Sequence, residues 1–194
     1  MKRIVIGLFF LLISVLAYTE NSTKDFRNCT WGMSKKEVMK AEGIVEKDIV
    51  FQDSTLIAIS STIATYPCYI VYIYSSDKLV RTKYSFNVEH SNNNLYYTID
   101  YPAIKELLSK KYGSPIKDNR YWSRDLYKDD SDSYGMAIAV GDLSLYTNWE
   151  NESTELILYL TGDNYVITFG VEYTSKNLRN LEAEKTEKEA VENL

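Results

Sequence analysis

Trp31-Gly32-Met33-Ser34-Lys35-Lys36-Glu37-Val38 is the stretch on which the fold turns. Ser34 is a natural helix N-cap and Glu37 stands three residues later, so each side chain can bond the other's backbone N–H in a capping box. Met33 and Val38 hold the two positions of a hydrophobic staple, which sets the angle at which the chain enters the helix and leaves Trp31 to plug a core behind it. The predicted helix spans 35–42, buries Val38, and stops at Gly43, the residue type that accepts a left-handed conformation. Cap, staple and plug account for Trp31, Met33, Ser34, Glu37 and Val38, so the stretch reads as architectural.

Outward from this helix the chain reads as strands at 49–51, 56–63, 69–74 and 79–88, rich in β-branched and aromatic residues and separated by turn chemistry. In the last of these Val80, Thr82, Tyr84, Phe86 and Val88 share one face and Arg81, Lys83 and Ser85 the other, which predicts a sheet with one wet side. A second cycle then begins. A loop at 91–94 and a short extended stretch at 95–99 lead to Asp100, expected to cap a helix over 101–112 with Pro102 in its first turn. Gly113 is expected to give the left-handed stop and Pro115 to bar continuation. Strands are expected near 120–124, 134–140, 143–149, 154–160 and 165–173, with Thr161-Gly162-Asp163-Asn164 as a hairpin turn. Tyr165, Ile167, Phe169, Val171 and Tyr173 should face the core.

The pattern is helix then strands, twice, over about 26–90 and 91–174. Hairpins, not crossover helices, join the strands, so the predicted class is α+β, with helices packed on one face of an antiparallel sheet. From 175 to 194 the composition turns to Glu and Lys, which reads as a charged terminal helix or tail.

At 194 residues and 25% charged, the chain is sized for one domain with a substantial core. Residues 1–17 read as a signal peptide: Lys2 and Arg3 precede an apolar run to Leu16, and the cut is expected after Ala17, ahead of a polar leader at 18–25. The run is shorter than the roughly 20 residues that span a bilayer, so no stable membrane insertion is expected after cleavage. Localisation is therefore expected to be extracytoplasmic, periplasmic or secreted. Losing Lys2 and Arg3 would take the formal charge from −5 to −7, a sign that opposes nucleic-acid binding. Cys29 and Cys68 both fall in the exported part, where a disulfide can persist; a bridge and a pair of buried thiols are both open.

Gly32-Met33-Ser34 with Val38 four residues on, and Lys111-Tyr112-Gly113-Ser114-Pro115 closing the second helix, resemble the helix landmarks of small exported bacterial envelope proteins. These include outer-membrane assembly lipoproteins of the SmpA/OmlA type and β-lactamase-inhibitor-protein-like modules. The resemblance covers 26–173 and implies a helix pair on a short antiparallel sheet, sometimes in tandem, with a role in protein binding or envelope scaffolding. It looks closer still to secreted proteins with a Trp-Gly-Met-Ser helix start, for which no activity is implied. Unlike the lipoproteins, this chain has no Cys after the signal to carry a lipid.

No catalytic constellation is legible. The single histidine, His90, lies among Glu89, Ser91 and three Asn and reads as a turn, and two cysteines with one His do not make a zinc site. Asp125, Asp129, Asp130 and Asp132 cluster without the spacing of a calcium loop, and no glycine loop cradles phosphate, so no metal or cofactor is expected. Seventeen tyrosines remain. Tyr121, Trp122, Tyr127, Tyr134, Tyr146 and Trp149 gather in the second half, and those left on an uncovered sheet face would anchor a partner, expected to be another protein or an envelope component. The competing expectation is that Trp122 and Trp149 are core plugs. The leading expectation is a non-enzymatic binding module; the alternatives are a hydrolase acting on glycans through carboxylates such as Asp125 and Glu150, and a purely structural secreted protein.

Overall fold

In the computed structural model, which describes residues 24–192, α1 (Lys35–Glu42) begins with the capping box complete. Glu37 N donates to Ser34 Oγ, and Ser34 N donates to the Glu37 carboxylate at 2.8 Å. Val38 is buried and Gly43 closes the helix at φ 69°. The preceding residues clamp the sheet as well as the helix. Gly32 N donates to Leu79 O, Leu79 N donates to Met33 O, and the Trp31 indole N–H donates to Thr154 Oγ1 at 2.9 Å. The expected signal segment lies outside the described residues.

The strands are β1 (Ile49–Gln52), β2 (Leu56–Ile63), β3 (Tyr66–Ser75) and β4 (Lys78–Phe86), then β5 (Lys117–Trp122), β6 (Leu143–Glu150), β7 (Thr154–Asp163) and β8 (Val166–Ser175). They form one antiparallel sheet in the order β1-β2-β3-β4-β8-β7-β6-β5. Each cycle is therefore a four-strand meander, and the last strands of the two cycles meet at the centre. The fold is α+β as expected. α2 (Tyr101–Tyr112) and α3 (Tyr134–Ala139) belong to the second cycle, and α4 (Asn180–Glu192) touches the sheet near the end of β3, where Ser75 Oγ donates to Leu181 O.

Period-two alternation sets the core. Along β6 and β7, Leu143, Leu145, Thr147, Trp149, Leu156, Leu158 and Leu160 are buried while their neighbours are half-buried or exposed. Each such leucine contributes about 1.5–3 kcal/mol on burial. α1, α2 and α3 cover this face: Tyr101 of α2 reaches Thr147, and the Ile138 carbonyl of α3 stands over Gly162 so closely that a Cβ there would meet it at 2.0 Å.

Several expectations are corrected. Residues 134–140 are not a strand, because Ala137, Ile138 and Ala139 are buried consecutively and the Ala- and Met-containing run suits α3. Gly135 permits the close seat of α3 on Asn94, whose Oδ1 accepts from Gly135 N. Residues 95–99 are not extended; Tyr96–Asp100 form a π-helical turn continuous with α2, held by Tyr96 OH donating to Val88 O at 2.6 Å. Asp100 is consequently helical and caps nothing with its side chain. Gly113 has φ 84° but ψ −164°, so it ends α2 without the left-handed cap. The second hairpin turns at Asn164 and Tyr165, both at positive φ, which leaves Tyr165 exposed and not in the core. Cys29 and Cys68 are both buried and free.

Candidate functional site

The face of the sheet opposite α1, α2 and α3 is left uncovered by these helices. In the middle of the sheet its side chains are half-buried or exposed, apart from Ala58 and Gly170. Strand register places Tyr69, Ser85, Gly170, Tyr159, Tyr146 and Asn119 in one row running across β3, β4, β8, β7, β6 and β5. From Tyr69 to Tyr146 this row spans about 19 Å at the usual strand spacing. Tyr121, one step along β5, packs edge-on against Tyr146 at 5.7 Å and accepts from Asn119 Nδ2.

Small residues shape the row. A Cβ on Gly170 would lie 2.5 Å from the Tyr159 hydroxyl, so Tyr159 leans across β8 over bare backbone. Burial, with Glu172 nearby, pushes the Tyr159 phenol up to about 12. Ser85 and Gly170 thus form a low saddle between Tyr69 and Tyr159. On the β1 side the row runs into an apolar depression of about 400 Å³ lined by Val50, Phe51, Leu56, Ala58, Tyr69 and Val71. Phe51 is 55% exposed. The charges beside the row are internally matched: Glu172 accepts from Arg81 and pairs with Lys83 at 2.7 Å.

The six aromatics expected on such a face divide. Tyr121 and Tyr146 are on it. Trp149 is not: it is 1% exposed on the core face, its indole N–H donating to Gly113 O at 3.0 Å. Trp122 and Tyr134 stack edge-on at 5.2 Å on the helix side, and Tyr127 is partly buried against the core. Tyr69 and Tyr159 were missed. Their signal was present in the alternation, since Leu156, Leu158 and Leu160 point inward and Tyr159 must then point out.

The alternative carboxylate pair is not brought together. Asp125 follows β5 at the Leu143 end of β6 and pairs with Lys128, whereas Glu150 closes β6 and pairs with Lys176. The two ends of β6 are about 23 Å apart at the usual rise per residue, well beyond the 5–10 Å of glycosidase carboxylates. Asp130 caps a short turn through Asp132 N and Ser133 Oγ. His90 is more than a turn residue: its Nε2 lies 2.5 Å from Asp100 Oδ2, and its ring packs edge-on against Tyr96. That pair anchors the π-helical turn. Among the described residues, no group of His, Cys, Asp and Glu is placed to hold a metal ion, and no helix is long and apolar enough to cross a membrane.

Comparison with family models, with curated proteins and with solved structures yields no match.

Proposed function

We propose that this chain is a non-enzymatic, exported binding module whose contact surface is the uncovered sheet face. The observation that carries it is the transverse row Tyr69, Tyr159, Tyr146, with Tyr121 beside it, on a face that α1, α2 and α3 leave bare. Tyrosine brings a broad apolar body with a hydroxyl at its rim and loses little side-chain entropy on contact, which suits a surface that must stay wet when free. The partner is a polypeptide. The depression beside Phe51 is lined by aliphatic and aromatic side chains with little polar lining beyond Ser85 and the Tyr69 hydroxyl, which fits an inserted apolar side chain and offers a sugar few hydrogen bonds. The reading of residues 1–17 as a signal peptide and the resemblance of the helix landmarks to envelope proteins support the same proposal, with a partner outside the cytoplasm.

The test is a binding comparison in which a Tyr69→Ser, Tyr146→Ser double variant loses retention of an envelope partner at least tenfold while keeping the parent's circular dichroism. Leu107→Ser, at an exposed position of α2, should retain it. Equal retention by all three proteins would reject the assignment.

A further inference from the structure

On the helix side of the sheet edge, between the π-helical turn, α2 and β5, lies a cleft of about 340 Å³. It is separate from the tyrosine row, which faces the other way. Tyr97, Tyr101, Pro102 and Leu145 make its apolar lining, and Lys105, Asp118 and Arg120 converge in it.

The polar side is built from beneath. Thr147 Oγ1 lies 2.8 Å from Asp118 Oδ1 and 2.8 Å from Tyr101 OH. Burial would push the Asp118 carboxyl up, but its bonds to Lys105 and Thr147 hold it below its ordinary value, so it is ionised and can only accept. The single Thr147 proton therefore goes to Asp118, and Tyr101 donates to Thr147. Thr147 is fully buried, so this chain fixes Asp118, and Asp118 in turn fixes the Lys105 ammonium. Arg120 stands two residues along the same face of β5. Its guanidinium lies 5.4 Å above the Tyr97 ring, and Tyr134 and Trp122 brace that ring in sequence at 5.3 and 5.2 Å. Among the described residues Arg120 has no carboxylate at ion-pair distance, so two cations share one anion and the cleft keeps a single positive charge in a chain of net charge −5. Tyr97 and Thr98 come from the π-helical turn, a backbone irregularity of the kind that recurs at functional sites.

We propose that this cleft binds a small monocarboxylate with a flat apolar body, its carboxylate held by Arg120 and Lys105 and its body laid against Tyr101, Pro102 and Leu145. One surplus positive charge matches one carboxylate, and Asp118 repels a second. The planar fork of Arg120, oriented by Tyr97, offers two parallel N–H groups to a carboxylate. The volume admits roughly a dozen non-hydrogen atoms, at the small end of ligand sites. A free organic acid and the C-terminal carboxylate of a polypeptide ending in a hydrophobic residue present the same chemistry.

Four probes distinguish these sources by titration against isotope-labelled protein: 3-phenylpropionate, 3-phenylpropionamide, N-acetyl-Ala-Phe and its C-terminal amide. Saturable shifts at Tyr97, Lys105 and Arg120 are expected for the acids at about 1 mM, with the amides about tenfold weaker. Binding of 3-phenylpropionate alone assigns the site to free acids, and tighter binding of the peptide acid assigns it to chain ends. Arg120→Gln, at an exposed position, should weaken the acids about tenfold without changing the melting temperature. Equal binding of acid and amide, acid binding untouched by Arg120→Gln, or no saturable binding of any probe would overturn the proposal.

Discussion

Trp149 and Tyr146 lie three residues apart on β6, and their opposite directions make the sharpest stability prediction. Trp149→Phe removes the indole N–H bond to Gly113 O and leaves a void in the core. The lost hydrogen bond costs about 1 kcal/mol. The missing ring volume, roughly 40 Å³, costs about 1 kcal/mol as cavity, and the lost apolar transfer about as much again. The expected loss is therefore about 3 kcal/mol, which lowers a urea midpoint by about 1–2 M with an unchanged slope. Tyr146→Ala removes a half-buried ring that packs edge-on against Tyr121, and should cost about 1 kcal/mol or less. The assay is urea unfolding followed by circular dichroism. A Tyr146 effect equal to or larger than that of Trp149 would refute the assignment of faces, because the two side chains would then share a side of the sheet or a degree of burial.

Other expectations follow from particular contacts. Burial pushes the Glu42 carboxyl up, but the Asn28 N–H and Arg27 bonds outweigh it, so its folded value lies below the ordinary 4.5. A lowered folded value means stability that is present above the unfolded value and lost as pH falls through the folded one. Glu42→Gln should cost about 2 kcal/mol at neutral pH, with the gap closing as acid protonates the folded carboxyl; a gap that stays constant with falling pH until both proteins unfold would contradict this origin. Gly170→Ala would put a Cβ 2.5 Å from Tyr159 OH and 2.6 Å from Tyr84 O. It should destabilise by about 2 kcal/mol or more, and in tyrosine-labelled NMR titrations it should lower the Tyr159 phenol from about 12 toward its ordinary value. Burial first, then Glu42, pushes the Cys29 thiol up to about 12, and Cys68 is buried too. Neither thiol should react with iodoacetamide in the native state, and both should titrate as free thiols in denaturant without reductant; zero thiols would mean a bridge.

The helices that begin with a cap or end at a glycine were legible in the sequence, because Ser34, Glu37 and Gly43 act through bonds within a few residues of one another. Strand faces were legible for the same reason: alternation is local, and β7 shows its inner leucines on sight. What was not legible depends on distant partners. Tyr96 and Tyr97 favour extended chain on their own, but Val88 and the His90–Asp100 pair wind them into a π-helical turn. Residues 134–140 mix strand formers, Tyr134, Ile138 and Val140, with the helix formers Met136, Ala137 and Ala139, and the distant seat on Asn94 and Gly162 goes with the helix. The site suffered most from density of aromatics. Trp149 and Tyr146 look alike as ring-bearing neighbours, and only the decision about which face the helices cover separates a core plug from a contact residue.

The central claim is that the tyrosine row is the contact surface, and site-directed photocrosslinking in the cell that produces the protein tests it most directly. With p-benzoylphenylalanine placed at 69, 121 or 107 in turn, a protein adduct of one discrete mass is expected from positions 69 and 121, and none from 107 on α2. Adducts from 107 with silence at 69 and 121 would contradict the account.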